Sequence, residues 1–118
     1  MQRIYLASDH AGYPLKMLIK DYLKSQAKYE VIDVGTEQKV SCHYPIFANR
    51  MAKSMKPQDR GILVCGSGIG IGIAANKSGL PCATAYDEYT AAECGRHFQA
   101  MAVGGRVVSA DLAFLMVE

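Results

Sequence analysis

Short apolar runs alternate with helix-length segments along this chain, and that alternation constrains the fold more than any other feature. The strand-like runs are Ile4–Ala7, Val31–Val34, Gly61–Val64, Cys82–Ala85 and Met101–Val103. Strands separated by helical segments are typical of βαβ units with a parallel sheet. We therefore predict an α/β fold, a single doubly wound, Rossmann-like three-layer sandwich whose five-stranded parallel sheet has the order 2-1-3-4-5.

Helical periodicity predicts which faces of the intervening segments are buried. Pro14 suits a first helical turn, and the apolar residues that follow at helical spacing are Leu15, Leu18, Ile19, Tyr22 and Leu23. Lys16, Lys20 and Lys24 are predicted on the opposite, solvent-facing side. Asp87 is predicted to cap a helix that runs to about His97, and Ser109 to cap a last helix with Leu112, Leu115 and Met116 on its apolar face.

Composition excludes several classes of protein. A length of 118 residues fits one domain, 1–118. No apolar run is long enough to cross a bilayer, and the N-terminus has no signal-peptide pattern, so we expect a cytoplasmic protein without a membrane partner. The net charge of +2 is weak and scattered, which argues against nucleic acid as a partner.

The four cysteines, Cys42, Cys65, Cys82 and Cys94, form no Cys-x-x-Cys pair. A zinc site or a redox dithiol is therefore not expected, and no other cluster has metal-ligand spacing. We predict no metal and no cofactor. Free, mostly buried thiols are the simplest interpretation, and for Cys82 and Cys94 we favour it.

Open α/β sheets bind ligands outside the carboxyl ends of their strands. In this chain that rule selects residues 8–10, the segment 65–70, the pair 86–87 and residues 104–106. These four places are the candidate rim of a binding site.

The third strand runs into a glycine-rich loop, Cys65-Gly-Ser-Gly-Ile-Gly-Ile-Gly72. Its glycines fit neither the G-x-G-x-x-G dinucleotide fingerprint nor a Walker A loop. Glycine at every second position lets backbone N–H groups approach an oxyanion near a helix N-terminus, although a tight turn without a ligand is the alternative. Backbone donors at a helix start stabilise thiolates, so Cys65 is a candidate base or nucleophile. Ser67 lacks the Gly-x-Ser-x-Gly elbow of a serine hydrolase.

Polar side chains stand at the other strand ends. Asp9 could hold sugar hydroxyls and His10 could reach a phosphate, or Asp9 could only cap the helix at Pro14. His97 could simply complement a helix dipole, and Arg106 could be a phosphate ligand or a solvated surface charge. Together with Cys65 and its loop, we predict that these groups share one rim.

The motifs resemble those of the ribose-5-phosphate isomerase B family, which includes galactose-6-phosphate and allose-6-phosphate isomerases. The resemblance covers nearly the whole chain in order and rests on Ser-Asp-His-Ala-Gly at 8–12, Val-Ile-Asp-Val-Gly-Thr at 31–36, His-Tyr-Pro at 43–45, the segment 61–77 and Gly-Gly-Arg-Val at 104–107. It implies an aldose–ketose isomerase that interconverts ribose 5-phosphate and ribulose 5-phosphate through a cis-enediolate without a metal.

The resemblance also implies roles for individual residues. Cys65 corresponds to the base at C2, Ser67 to the residue that assists proton movement at the C1 oxygen, and His97, helped by Asp9, to the group that opens the furanose ring. The remaining correspondences are oxyanion contacts from the amides of Gly66, Gly68, Ile69 and Gly70, phosphate contacts from His10 and Arg106, and a sugar-pocket contact from Tyr44. The family forms homodimers or homotetramers with active sites at the subunit interface, and we expect the same here.

This sequence departs from the family pattern in two places. His-Phe-Gln-Ala-Met at 97–101 replaces the family's usual His-Asn-Asp-Ala-Asn, and the path to Arg106 is about two residues shorter than the family's. The family continues into a C-terminal helix whose arginines reach a neighbouring subunit's phosphate site, whereas no basic residue follows Arg106 here. We therefore expect a short or truncated C-terminal helix and weak substrate binding.

Two other functions stay open at this level. The segment His-Tyr-Pro-Ile-Phe at 43–47 is also compatible with a hexose-6-phosphate isomerase of the same family. A non-catalytic sensor of a phosphorylated ligand is the alternative from a different class, because fold does not fix function. Turnover of five- and six-carbon sugar phosphates, or ligand-dependent stabilisation without turnover, would distinguish these functions.

Overall fold

The computed structural model describes residues 2–35 and 44–117, except for the side chain of Tyr44. The elements alternate along the chain as β1 (Gln2–Ser8), α1 (Tyr13–Gln26), β2 (Tyr29–Asp33), α2 (Tyr44–Ser54), β3 (Arg60–Cys65), α3 (Ile69–Lys77), β4 (Cys82–Ala85), α4 (Glu88–His97), β5 (Ala100–Gly104) and α5 (Ala110–Val117). All strand pairs are parallel, which confirms the predicted α/β sandwich built on a five-stranded sheet.

The predicted strand order was wrong at one edge of the sheet. The order is β2-β1-β3-β5-β4, so β5 lies between β3 and β4. Every residue of β5 is buried, as expected for a strand covered on both faces, whereas the four-residue β4 is partly exposed at the edge. The return from β4 to β5 reverses the direction of winding. A right-handed crossover therefore places α4 on the opposite face from α3.

Two hydrophobic clusters cover the two faces of the sheet. One contains Leu15, Ile19 and Leu23 of α1 together with residues of α4 and α5. The other packs α2 and α3 against the second face, through residues such as Met51 and Ile71. This division into layers leaves the carboxyl ends of the strands uncovered by helices.

Residues predicted from sequence at helix starts lie at the N-termini of three helices. Pro14 lies in the first turn of α1. Asp87 forms a reciprocal capping box with Thr90 at the start of α4. Ser109 Oγ accepts a hydrogen bond from the amide of Leu112, 3.1 Å away, at the start of α5.

The predicted faces of α1 and α5 need three corrections. Lys16 is fully buried rather than solvent-facing, whereas Leu18 and Leu115 are about half exposed. At about 100° per residue, Lys16 lies about 60° around α1 from the fully buried Ile19, and Leu18 lies about 100° from it. Residue position on the helix therefore outweighed residue type. No helix within residues 2–35 and 44–117 is both long and apolar enough to cross a membrane.

Candidate active site

Three loops converge at the carboxyl ends of the three central strands. The turn 9–12 follows β1, the loop 65–68 follows β3 and residues 104–106 end β5. The amide of Gly105 donates to the carbonyl oxygen of Cys65 at 2.7 Å, and the amide of Arg106 donates to that of Gly66 at 2.9 Å. These two bonds join the loop after β3 to the residues after β5, and the amide of Asp9 joins the turn 9–12 to β3 through the carbonyl oxygen of Val64 at 3.2 Å.

Gly68 allows the glycine loop to pack closely on β5. Its φ of +83° lies in the left-handed region, and a Cβ atom there would be 2.8 Å from the carbonyl carbon of Val103. No larger residue fits this position without moving backbone. Gly68 is also the residue that precedes α3, so the same geometry sets where that helix begins.

The sulfur of Cys65 faces the amides of this loop. The Gly68 amide donates a hydrogen bond to Cys65 Sγ at 3.1 Å, and the thiol is only 4% exposed. A backbone N–H at a helix start stabilises negative charge on the sulfur. Within one chain the sulfur is therefore almost closed to solvent.

The start of α3 supplies further donors. Amides in the first turn of a helix have no carbonyl partner within that helix, and Gly70 and Ile71 occupy such positions. Ser67 is exposed beside them, and its Oγ accepts from the amide of Ile69 at 3.2 Å. The loop is thus built to hold an anion next to a thiol.

Asp9 has a structural partner and one oxygen to spare. Its Oδ1 accepts a hydrogen bond from the amide of Gly12 at 2.9 Å, which holds the turn before α1. Its Oδ2 has no hydrogen-bond partner within the described residues. Asp9 therefore stabilises the turn before α1, which was one of its two predicted roles, and a ligand can still bind the second oxygen. His10 lies beside Asp9 and is half-buried.

Arg106 lies over the glycine loop. Its Cδ and Nε atoms are 3.6 and 3.8 Å from the point where a Cβ on Gly66 would stand, and the residue is exposed. An exposed guanidinium at this position can form a bidentate pair with an anion such as phosphate. Tyr44, proposed to line the sugar pocket, begins α2, but its side chain lies outside the described residues.

The structure separates His97 from this rim, so the prediction of a shared rim within one chain was wrong. Helix α4 starts at the carboxyl end of β4 and must return to the amino end of β5, and His97 is its last residue. The Phe98 carbonyl accepts from Arg60 Nη1 at 2.8 Å, and Arg60 begins the strand that Cys65 ends. Five residues of strand span about 16 Å. His97 is exposed there and pairs with Glu93 at 3.3 Å.

The two other described cysteines lie away from the rim and remain protonated at neutral pH. Burial, with a smaller contribution from Cys94, raises the pKa of Cys82 to about 12, and burial also raises the pKa of Cys94. All three described cysteines are free thiols. Cys42 lies outside the described residues.

Sequence reasoning missed two features near the rim. Thr84, near the end of β4, directs its Oγ1 to the carbonyl oxygen of Gly68 at 3.4 Å. Buried Lys16 pairs with Asp33 at the end of β2. The helical angle between Lys16 and Ile19 was the signal that could have revealed the second feature.

Within the described parts of the chain, no three His, Cys, Asp or Glu side chains gather as potential metal ligands. The side chains described on this rim are the thiol of Cys65, the hydroxyl of Ser67, the carboxylate of Asp9, the imidazole of His10 and the guanidinium of Arg106.

Comparison with known proteins agrees with this description. The family model described as Ribose/Galactose Isomerase matches residues 4–118. A probable ribose-5-phosphate isomerase B of Mycoplasma pneumoniae is 44% identical over 98 residues, covering 80% of this chain and 64% of the relative. Ribose-5-phosphate isomerase B of Escherichia coli is 37% identical over 123 residues, covering 100% of this chain and 82% of the relative.

A solved structure of ribose-5-phosphate isomerase B from Clostridium thermocellum superposes with a TM-score of 0.91 at 44% identity, covering 98% of this chain and 81% of that one. The match spans all five strands and the rim at their carboxyl ends. The family resemblance read from the motifs is thus confirmed, and the chain belongs to the ribose/galactose isomerase family.

Proposed function

We propose that this chain is a single-domain, cytoplasmic aldose–ketose isomerase that interconverts ribose 5-phosphate and ribulose 5-phosphate, with Cys65 as the base. The observation that carries the proposal is the 3.1 Å hydrogen bond from the Gly68 amide to Cys65 Sγ at the start of the glycine loop. Membership of the family and the names of its relatives supply the substrate.

The chemical step moves one proton between adjacent carbons. The Cys65 thiolate takes the proton from C2 of the open-chain aldose, and the electron pair moves toward the C1 carbonyl to give a cis-enediolate. The proton of the C2 hydroxyl passes to the C1 oxygen, and the thiol then returns its proton to C1 to give the ketose. A proton beside a carbonyl is weakly acidic, so the base must act together with donors that stabilise the enediolate.

The glycine loop supplies those donors. Amides from Gly66 to Gly70 hold the enediolate oxygens, and Ser67 assists proton movement at the C1 oxygen. The placement of Gly70 in the first turn of α3 supports this role, because its N–H has no helical partner. Fixed donors of this kind need no reorganisation as charge develops.

Substrate binding uses the neighbouring loops. The free Oδ2 of Asp9 accepts sugar hydroxyls, while His10 and Arg106 bind the phosphate. Tyr44 lines the sugar pocket. The position of Arg106 over Gly66 supports this arrangement, because it places a guanidinium beside the donor loop.

Ring opening requires a second copy of the chain in this account. His97 is the group that opens the furanose, yet it lies near the amino ends of the strands, whereas Cys65 of its own chain lies at their carboxyl ends. Its exposure allows it to reach the rim of a partner subunit, assisted by that subunit's own Asp9. A homodimer or homotetramer with active sites at the subunit interface satisfies both facts.

An assay of ribose 5-phosphate conversion tests the proposal. Wild-type protein should form ribulose 5-phosphate after treatment with a chelator, and Cys65→Ala should lose that turnover. Cys94→Ala is the matched control, because its thiol lies away from the rim. Turnover that a chelator abolishes, or that survives Cys65→Ala, would contradict the mechanism.

A hexose-6-phosphate isomerase is the second candidate, because the matching family model covers galactose as well as ribose isomerases. Both reactions share the C2-to-C1 proton transfer and differ in the length of the sugar. A side-by-side assay on ribose 5-phosphate and galactose 6-phosphate separates them. Failure on the pentose with turnover of the hexose would replace the first candidate by the second.

A further inference from the structure

Lys16 is the largest fully buried side chain among the described residues, and the proposed mechanism does not use it. Its Nζ donates to Asp33 Oδ1 at 2.8 Å, while Lys20 reaches Oδ2 of the same carboxylate at 3.2 Å. A buried ammonium is costly unless it is paired, and replacing a buried ion pair by apolar residues is often neutral or stabilising. Stability alone therefore does not explain why a lysine occupies this position.

The carboxylate of Asp33 connects the lysine to the residue before Asp9. Asp33 Oδ1 also accepts the amide of Gly35 at 3.0 Å. The carbonyl oxygen of Gly35 in turn accepts the amide of Ser8 at 2.8 Å. Burial raises the pKa of Asp33, but hydrogen bonds from Lys16, Gly35 and Lys20 outweigh it and hold that pKa below its usual range. The connection is thus made by an ionised carboxylate at neutral pH.

The backbone of α1 connects the same lysine to the other side of Asp9. The amide of Lys16 donates to the carbonyl oxygen of Gly12 at 2.9 Å. The amide of Gly12 donates to Asp9 Oδ1 at 2.9 Å. The contacts therefore form a closed ring that passes from Asp9 through Gly12 to Lys16 and returns through Asp33, Gly35 and Ser8.

We propose that Lys16 is a positioning residue that fixes the Asp9 carboxylate on the catalytic rim through this ring. The inference rests on the proposed function, because it assigns Asp9 a role toward the sugar. Lys16 Nζ is the buried cross-link between α1 and the end of β2, and it binds the same oxygen of Asp33 that accepts the Gly35 amide. Lys20 makes a second, longer and partly exposed cross-link to the other oxygen, so we expect its loss to disturb the Gly35–Ser8 side of the ring less.

Lys16→Met tests the role, with Lys20→Met as the matched control on the same carboxylate. Displacing a catalytic group by about 1 Å can cost about a hundredfold, so we expect Lys16→Met to lower kcat for ribose 5-phosphate about ten- to a hundredfold. KM should change by less than about threefold, and Lys20→Met should retain kcat within about twofold. Equal losses in the two variants would overturn the proposal.

A double-mutant cycle with Asp9→Asn separates positioning from general damage. A residue that acts through Asp9 loses its effect once Asp9 is altered, so Lys16→Met should change kcat by less than about twofold in the Asp9→Asn background. Full additivity would overturn the proposal. If Lys16→Met does not fold, the same cycle is run with Lys16→Met/Asp33→Asn, which leaves no unpaired carboxylate and keeps an acceptor for Gly35.

An NMR measurement tests the ring without relying on turnover. The amide resonances of Gly12 and Ser8 should shift in Lys16→Met, or in the double variant, and stay unchanged in Lys20→Met. Unchanged resonances in the ring-opening variant would contradict the proposal even if the enzyme is active. Absence of wild-type turnover with shifted resonances would instead contradict the proposed function and leave the positioning of Asp9 supported.

Discussion

Gly68 sets the distance between the Cys65 sulfur and the donors of the glycine loop. Its positive φ turns its own amide toward the sulfur, and its missing Cβ lets the loop lie on β5. Gly79 has a similar φ of +89° but no atom within 4 Å of a Cβ built there. The two glycines therefore separate the cost of a left-handed backbone from the cost of close packing.

Gly68→Ala and Gly79→Ala should differ in both stability and activity. Gly79→Ala should cost about 1–2 kcal/mol, the price of the left-handed conformation alone. Gly68→Ala should cost about 1–3 kcal/mol more through overpacking, and it should lower kcat because the donors move from the sulfur. Urea unfolding and the ribose 5-phosphate assay measure the two effects. Equal stability losses would show that Gly68 is not sterically required.

Cys82 makes the stability of the protein sensitive to alkaline pH. Burial raises its pKa in the folded state from an ordinary value of 9.0 to about 12, so folding favours the protonated thiol. The stabilisation of the folded state by the protonated Cys82 thiol is complete below pH 9.0 and is lost as the pH rises toward about 12.

Cys82→Ala should therefore have a flatter stability profile than the wild type above pH 9.0. The free energy of unfolding, measured in urea at neutral and alkaline pH, should fall more steeply for the wild type, because the substitution removes one titrating group. All other residues are the same in the two proteins, so the comparison isolates the contribution of Cys82. Parallel profiles would contradict the assigned cause.

At the scale of residues, the sequence predicted where residues of the rim lie better than it predicted the burial and partners of individual side chains. Cys65, Ser67 and Asp9 lie at the strand ends and in the glycine loop where they were predicted, because glycine spacing and strand ends are local signals. Lys16 was misplaced because residue type was weighed above helical angle. The partners of Lys16, at the end of another strand, are set by tertiary packing that local patterns do not contain.

At the scale of elements, the sequence predicted the parallel sheet and its helices but not the order of the last two strands. Successive strands are often adjacent, and that tendency favoured β4 beside β3. The stronger signal was composition, because the uninterrupted apolar β5 suits a central strand and β4, with Thr84, suits an edge. Connectivity also explains the position of His97. A crossover helix starts at the carboxyl end of one strand and ends near the amino end of the next, and His97 is the last residue of such a helix.

Helix α4 contains a glycine whose only evident effect is on the helix itself. A Cβ at Gly95 would have no atom within 4 Å. Gly95→Ala should therefore stabilise the protein by about 0.5–1 kcal/mol through helix propensity and leave kcat unchanged. Thermal unfolding measures the gain, and a loss of stability or of activity would instead indicate that another surface packs on Gly95.

At the scale of the whole molecule, the account requires two chains for each active site. Cys65 and His97 lie at opposite ends of the strands of one sheet, so in the proposed mechanism a working site takes the thiol from one subunit and the imidazole from another. Two inactive variants can then complement each other. Mixing restores activity because each heterodimer carries one site with both residues intact.

Cys65→Ala and His97→Ala, refolded together in equal amounts, should recover about a quarter of wild-type turnover of ribose 5-phosphate, because about half the dimers are mixed and each has one intact site. Each variant refolded alone is the control. Recovery absent from a mixture that has exchanged subunits, as verified by mass-tagged chains, would contradict the shared site.

The central claim is that the Cys65 sulfur removes the proton from C2. Exchange of that proton with solvent measures the step directly, by following deuterium at C2 of ribose 5-phosphate formed from ribulose 5-phosphate in D₂O. The account predicts incorporation by the wild type and a loss of at least about a thousandfold in Cys65→Ala, with substrate still stabilising the variant against heat. Incorporation by Cys65→Ala at a rate near that of the wild type would contradict it.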